Sequence, residues 1–204
     1  MRDSGAGPRD ASSILERYGR TPDALLPVTL EDKLRERPAG NVPERPSCLF
    51  LGAYFRPNVE GLRWFAENVF PQAGIELKVV GKGMEKLRGL LPEGIEVIGS
   101  VDDLAPYITA ADAMILPIFK GSGMKVKTCE SIMYGKNIIG TPEAFEGYGL
   151  DPASAGGCCT SKEEFLAALR SLPGRPRFNE YTRGVYEASH TPEAALKTLE
   201  SVLL

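Results

Sequence analysis

Three glycine-bearing segments of this chain combine close backbone approach with cationic or amide side chains, the pairing that a phosphate ligand requires. The most informative runs Pro117-Ile-Phe-Lys-Gly121-Ser122-Gly123-Met-Lys125-Val-Lys127-Thr-Cys-Glu130. Gly121 and Gly123 let the backbone approach a ligand, and the helical pattern after them presents amide N–H groups and a positive dipole end. Lys125 and Lys127 fall in that first turn, where a cation is unfavourable unless an anion compensates it. Glu130, deeper in the same helix, could accept hydrogen bonds from the paired hydroxyls of a sugar. The plainer alternative makes Lys127 and Glu130 an i,i+3 surface pair contributing about 0.2–0.5 kcal/mol. In Gly52-Ala-Tyr-Phe-Arg56-Pro-Asn58, Arg56 is a candidate anion contact and Asn58 a candidate cap for the next helix; an exposed arginine beside an N-cap fits equally well. Gly81-Lys82-Gly83-Met-Glu-Lys86 opens like a dinucleotide fingerprint, but Lys86 stands where the third glycine belongs. A tight strand-to-helix turn explains its two glycines and leaves Lys82 as a phosphate contact.

Other chemistries are excluded by scarcity. His190 is the only histidine, so a multi-histidine zinc site cannot form, and it sits in ASHTPEAALK, which reads as the cap of the last helix rather than a triad member. The cysteines Cys48, Cys129, Cys158 and Cys159 contain no CxxC. Cys48 and Cys129 read as reduced core residues, and the Cys158-Cys159 pair as two neighbours on opposite faces of a strand. The aspartates never take Asp-x-Asp spacing, and GxxxxGK[ST] occurs nowhere, so neither that metal site nor a Walker loop is available. No basic-aromatic interleaving points to nucleic acid, and a net charge of −3 supplies no attracting field.

The elements that position these loops follow from patterning. Across 204 residues, 43% hydrophobic and 25% charged composition supports a buried core. SCLFLG, IELKVVG, IEVIG, DAMILPI and KNIIGT are short β-branched runs roughly 20 to 30 residues apart, separated by amphipathic segments. This alternation predicts an α/β fold, a Rossmann-like parallel sheet with helices on both faces, whose ligands sit beyond the carboxyl ends of the strands. Ser100-Val-Asp-Asp103 and Ser161-Lys-Glu-Glu164 predict capped helices over 101–110 and 162–172. Thr191-Pro192 opens a terminal helix carrying Leu196, Leu199 and Leu203. Residues 1–46 hold six of the sixteen prolines and read as a lead-in, with a short helix over Ser12–Tyr18 and a short strand over Ala24–Leu30; residues 47–204 form the ligand-binding domain. Leu104–Phe119 is interrupted by Asp112 and Pro117, and MRDSGAGPRD lacks an apolar signal region, so a cytoplasmic protein is expected.

Taken in order, FLGAYFRPNVEGLRWF, ELKVVGKG, IEVIGSVDDLAPYITAADAMILPI and GSGMKVKTCESIMYGKNIIGTPEAFEGY resemble the C-terminal, donor-binding half of family 4 glycosyltransferases, over roughly Ser47–Leu172. That family has two Rossmann-like lobes, the GT-B architecture. ASSILERYGRTPDALLPVTL resembles the helix and linker that enter this lobe from the other one, so the resemblance implies a missing N-terminal acceptor lobe, through which alone membrane contact would arise. It also implies a nucleotide-diphosphate sugar as donor substrate, transfer with retention of anomeric configuration, and no metal or other cofactor. Glu130 matches the glutamate that holds the nucleotide ribose, and Lys127 and Arg56 match basic residues that stabilise the leaving diphosphate. Val97-Ile98-Gly99 matches the segment flanking the base, while Gly121, Ser122 and Gly123 match the loop that cradles phosphate and sugar. Gly52, Asn58, Lys125 and, after the fifth strand, Glu146 complete the expected substrate contacts. Many members carry a second glutamate where this chain has Ser122; a subset shares the GSGM-[KR]-VK wording, and a hydroxyl cannot replace a carboxylate charge.

Two functions follow as expectations. The first is the donor-binding half of a retaining hexosyltransferase, binding donor but turning over little by itself. The alternative is a non-catalytic nucleotide-binding or scaffolding module derived from that lobe. A NAD-dependent oxidoreductase trails both because its fingerprint is broken.

Overall fold

Short runs of apolar residues buried on both faces need a sheet whose two sides are covered, and the chain builds one. The computed structural model describes residues 8–121 and 124–203. Its elements run α1 (Pro8–Tyr18), β1 (Ser47–Leu51), α2 (Arg56–Asn68), β2 (Glu76–Val80), β3 (Ile95–Gly99), α3 (Ala105–Ala110), β4 (Ala113–Leu116), α4 (Val126–Met133), β5 (Asn137–Gly140), α5 (Pro142–Phe145), α6 (Pro152–Ala155), β6 (Gly156–Cys158), α7 (Lys162–Arg170), α8 (Glu180–Ser189) and α9 (Pro192–Leu203). The six strands pair in parallel in the order β3-β2-β1-β4-β5-β6. The strand order reverses between β1 and β4, which opens a crevice at their carboxyl ends.

Alternate residues of the strands divide the core into two layers. Leu49, Leu51, Met114, Leu116 and Ile138 pack with Cys129, Ile132 and Met133 of α4 and Tyr186 of α8. Cys48, Phe50, Leu77, Val79, Ile115 and Ile139 pack on the opposite side with Leu62 and Phe65 of α2 and Phe165 and Leu169 of α7. Cys158 and Cys159 follow the same rule, one in each layer, as strand alternation predicts. The cysteines are free thiols.

Several expected elements change. The first helix starts at Pro8 rather than Ser12. Ala24–Leu30 is not a strand, because it crosses helices α4 and α8 instead of reaching a sheet edge. Val28 is buried there, its carbonyl 2.8 Å from His190 Nδ1, while Leu30 N donates to the His190 carbonyl and Tyr186 Oη to the Leu30 carbonyl. Burial lowers the His190 pKa, and the hydrogen bond with the Val28 carbonyl acts against it. Farther along, Asp32 is paired with Arg183, and Val42 N donates to the Arg175 carbonyl. The helix expected from 101 begins only at Ala105, since Pro106 has no N–H and is tolerated only in a first turn. Ser100 does not cap it; its Oγ accepts from Gly83 N at 3.4 Å, and Asp103 accepts from Ala105 N at 2.9 Å. Ser161 does cap α7, accepting from Glu164 N at 3.2 Å, and that helix ends at Arg170 rather than 172. Leu196, Leu199 and Leu203 of α9 face solvent, at 56%, 40% and 80% exposure.

Two tight spots allow quantitative tests. A Cβ on Gly61 of α2 would lie 1.8 Å from the Pro117 carbonyl oxygen, so only glycine lets α2 close on the loop after β4. Gly61→Ala is expected to lower stability by about 1–3 kcal/mol despite alanine's better helix propensity, a fall in Tm of roughly 3–10 °C in thermal unfolding. Lys136 is fully buried, its Nζ donating to the Thr109 and Ala111 carbonyls at 2.8 and 2.7 Å, which satisfies the end of α3. Burial pulls its pKa down to about 7, Arg177 acts in the same direction and Asp112 opposes. Between that value and the ordinary lysine value near 10.4 the unfolded chain holds a proton that the folded chain has released, so stability rises with pH across this window. Urea unfolding at pH 7 and pH 9 is expected to show that gain, up to about 1.4 kcal/mol per pH unit, in the unaltered chain and not in Lys136→Met.

Candidate functional site

The loops at the carboxyl ends of β1, β2 and β3 and the first turns of α4 enclose a cavity of ≈ 550 Å³. Leu51, Gly52, Ala53 and Asn58 line it from β1 and the start of α2, Gly81 and Lys82 from the turn after β2, Ser100, Val101 and Leu104 from the segment after β3, and Val126, Lys127 and Glu130 from α4. The turn after β2 needs its glycine. Gly81 has φ 144°, and a Cβ there would lie 2.0 Å from the Gly52 carbonyl oxygen, so the β1 and β2 loops touch backbone to backbone.

Of the expected site residues, Gly52, Asn58, Lys127 and Glu130 come together in this cavity. Lys127 Nζ donates to Asn58 Oδ1 at 2.6 Å and lies 5.7 Å from the centre of the Phe50 ring. Asn58 is not a helix cap: α2 begins at Arg56 with Phe55 as its N-cap, and the Asn58 amide donates instead to the Ala53 carbonyl at 2.9 Å. Burial pushes the Glu130 carboxyl above its usual range, while the charges of Lys33 and Lys127 pull it back. The i,i+3 spacing puts Lys127 and Glu130 on one face of α4, and both face the cavity rather than bulk solvent.

The other expected residues lie elsewhere. Arg56 is 85% exposed and bonds Glu60 on its own helix at 2.6 Å, outside the cavity lining. Lys125, the N-cap residue of α4, is buried and pairs with Glu143 at 2.8 Å. Gly121 makes room for that pair, since a Cβ there would lie 2.7 Å from Lys125 Cε. Glu146 meets Arg9 of α1 at 3.2 Å, and the same guanidinium reaches Glu143 at 3.3 Å. The Val97 and Ile98 carbonyls accept from Arg88 at 3.0 and 2.5 Å, so the cavity wall after β3 is formed by Ser100, Val101 and Leu104 instead. Ser122 and Gly123 lie outside the described residues.

In the sequence Ser100 and Val101 look like part of a capping box and Leu104 like the helix after it, so nothing local marks them as cavity wall. Lys82 carried a signal, its place between two glycines after a strand. The site therefore holds one cation in the first turn of α4, a second on the turn after β2, and one carboxylate further into α4. That suits an anion carrying a vicinal diol. Among the described residues, no group of three or more His, Cys, Asp or Glu side chains could hold a metal ion. No described helix is long and apolar enough to cross a membrane.

Comparison with solved structures finds the same fold in proteins of low identity. Sucrose-phosphate synthase from Thermosynechococcus elongatus superposes with a TM-score of 0.71 at 16% identity, over 98% of this chain and 56% of that one. A TarM variant from S. aureus, solved with fondaparinux, alpha-GlcNAc-glycerol and UDP, gives 0.72 at 9% identity over 97% and 43%. The pneumococcal O-GlcNAc transferase GtfA, solved with UDP and GlcNAc, gives 0.65 at 13% identity over 98% and 44%. The chain thus spans about half the length of these structures, and its sheet is that of a Rossmann-like lobe of the GT-B architecture. No curated protein sequence matches it. Residues 45–172, however, match the family described as glycosyl transferases group 1, and by that match the chain belongs to this family.

Proposed function

We propose that this lobe binds the nucleotide-diphosphate sugar of a retaining hexosyltransferase of family 4 and stabilises the diphosphate as it departs. The observation that carries the reading is the shared face of α4, where Lys127 and Glu130 both line one cavity that Lys82 also lines. A volume of ≈ 550 Å³ lies within the range of small-molecule sites. Glu130 would accept from the ribose hydroxyls, and Lys127, Lys82 and the α4 N-terminus would face the diphosphate. As the glycosidic C–O bond breaks, its electron pair leaves on the diphosphate oxygen, and fixed cations stabilise that growing charge. Arg56 is tied to Glu60 outside the cavity, so this role falls to Lys127 and Lys82. Two fold relatives solved with UDP make UDP the first nucleotide to try. The acceptor is taken to bind a second lobe, with which this one would complete the reaction.

Calorimetric titration with UDP, GDP, ADP and NAD tests the reading. One nucleoside diphosphate is expected to bind saturably, with chelator making no difference, and Lys127→Ala and Glu130→Ala are each expected to weaken it about tenfold or more. Silence toward all three diphosphates, or NAD binding indifferent to both substitutions, would overturn it.

A pH series gives a second check. Hydroxyls donate to an ionised carboxylate, and burial raises the pKa of Glu130, so affinity is expected to fall on acidification before pH reaches the ordinary glutamate range. Glu130→Gln should flatten that dependence; an unchanged slope would remove Glu130 from the nucleotide contacts.

A further inference from the structure

We infer that Arg88 is a positioning residue for the nucleobase: its guanidinium holds a bulge in β3 that sets the cavity wall of Ser100, Val101 and Leu104. The inference rests on the donor-site reading above and gives the apolar side of that cavity to the base. Leu51, Val101, Leu104 and Val126 are the large apolar side chains of the lining, and a base is the flat, largely apolar end of a nucleotide. β3 is an edge strand, and its register against β2 slips by one residue just before this wall. Val79 pairs with Val97 but Val80 pairs with Gly99, so Ile98 is an extra residue. An inserted residue bends a strand and reverses which of the following side chains face the cavity. It also leaves backbone groups without ladder partners. Arg88 supplies the partner here, Nη2 donating to the Ile98 carbonyl at 2.5 Å and Nε to the Val97 carbonyl at 3.0 Å.

The arginine stands on a fixed base. It follows the single turn Met84–Leu87, whose Met84 and Leu87 side chains are fully buried. The connection from β2 grips the end of β3 at further points. Gly81 N donates to the Gly99 carbonyl at 2.8 Å, and Gly83 N to Ser100 Oγ at 3.4 Å. A Cβ on Gly99 would lie 2.7 Å from Glu85 Oε2, so the glycine leaves room for that carboxylate against the bulge. Its own backbone N–H chiefly, and that of Ser100 too, hold the Glu85 carboxyl below its usual range. The Val97, Ile98 and Gly99 carbonyls are thus all bonded within the β2–β3 connection, and selection among bases falls to the wall beyond them. A planar guanidinium fork holds two carbonyls at once, which the point charge of a lysine does not reproduce.

The test is calorimetry on the full chain with UDP, GDP and ADP, the weaker two measured by displacement of the tightest. Arg88 lies outside the cavity lining and touches no ligand itself. Arg88→Met is expected to weaken the preferred diphosphate about tenfold and the other two less than about twofold, so that the preference narrows while the thermal midpoint stays near that of the unaltered chain. Arg88→Lys offers one donor point in place of the fork and should narrow the preference as well. An equal loss for all three diphosphates would mark a structural brace without a part in base selection and overturn the inference, as would a preference unchanged in both variants. If no diphosphate binds the unaltered chain, the donor-site reading fails and this inference with it. If one binds and needs Glu130 but ignores Arg88, that reading stands and the role of Arg88 falls.

Discussion

Two lysines in the opening turn of α4 sit at the positive end of a helix dipole, and much of the surrounding structure answers that constraint. Lys125 is buried beneath the turn and meets Glu143 directly. Arg9 brackets the same carboxylate and extends the chain of charges to Glu146, linking α1 to the turn around α5. A buried ion pair recovers its desolvation cost only when geometry and further partners are good, and Gly121 provides the geometry by leaving room for the Lys125 stem. Lys127 is treated differently, held by the neutral Asn58 amide at the edge of the cavity. One cation is thus buried beneath the turn, and the other lines the cavity, where its charge also acts on Glu130.

Either placement requires that α4 itself not move. Its first turns are tied to α5 through Thr128, whose hydroxyl donates to the Ala144 carbonyl at 2.7 Å, and Tyr148 reaches the Lys125 carbonyl at 2.6 Å. Its far end is held by Arg183, which donates to the Met133 carbonyl and pairs with Asp32 of the segment crossing α4 and α8. The residues before β1 are therefore part of the support: Val28 enters the same core layer as Cys129. At the opposite end of the sheet from the cavity, Asp112 accepts from Ser47 N and Arg177, and Asn137 and Asn179 bond each other, closing the lower edge with polar contacts. Rigidity there and open loops at the carboxyl ends are the usual division of labour in such sheets.

The strands and most helices were legible in the sequence because their signals are local. Short β-branched apolar runs, a Ser161 cap and a proline at a first turn act through neighbours a few residues away. The segment Ala24–Leu30 misled for the same reason: its apolar residues fit a strand, but a strand needs a sheet edge, and this segment lies against Cys129 of α4 and Tyr186 of α8 instead. The false capping box at Ser100 failed when Pro106 set a later start, and the freed serine joined the cavity wall.

The site divides along the same line. Glycines that allow close approach, lysines at a helix start and a glutamate three residues beyond Lys127 are visible in one dimension, and they are what the proposal of an anion with hydroxyls starts from. Which cation faces the cavity is not visible. Arg56 and Lys125 have the right charge and the right loops, yet each is taken by a carboxylate, Glu60 four residues away and Glu143 eighteen residues away. Lys127 meets Asn58 across 69 residues of sequence. The sequence by itself determined the fold class and the chemistry on offer, because both are written in spacing. Only the tertiary structure decided which of these charges line the cavity and which lie buried or outside it, because that depends on what is near in space.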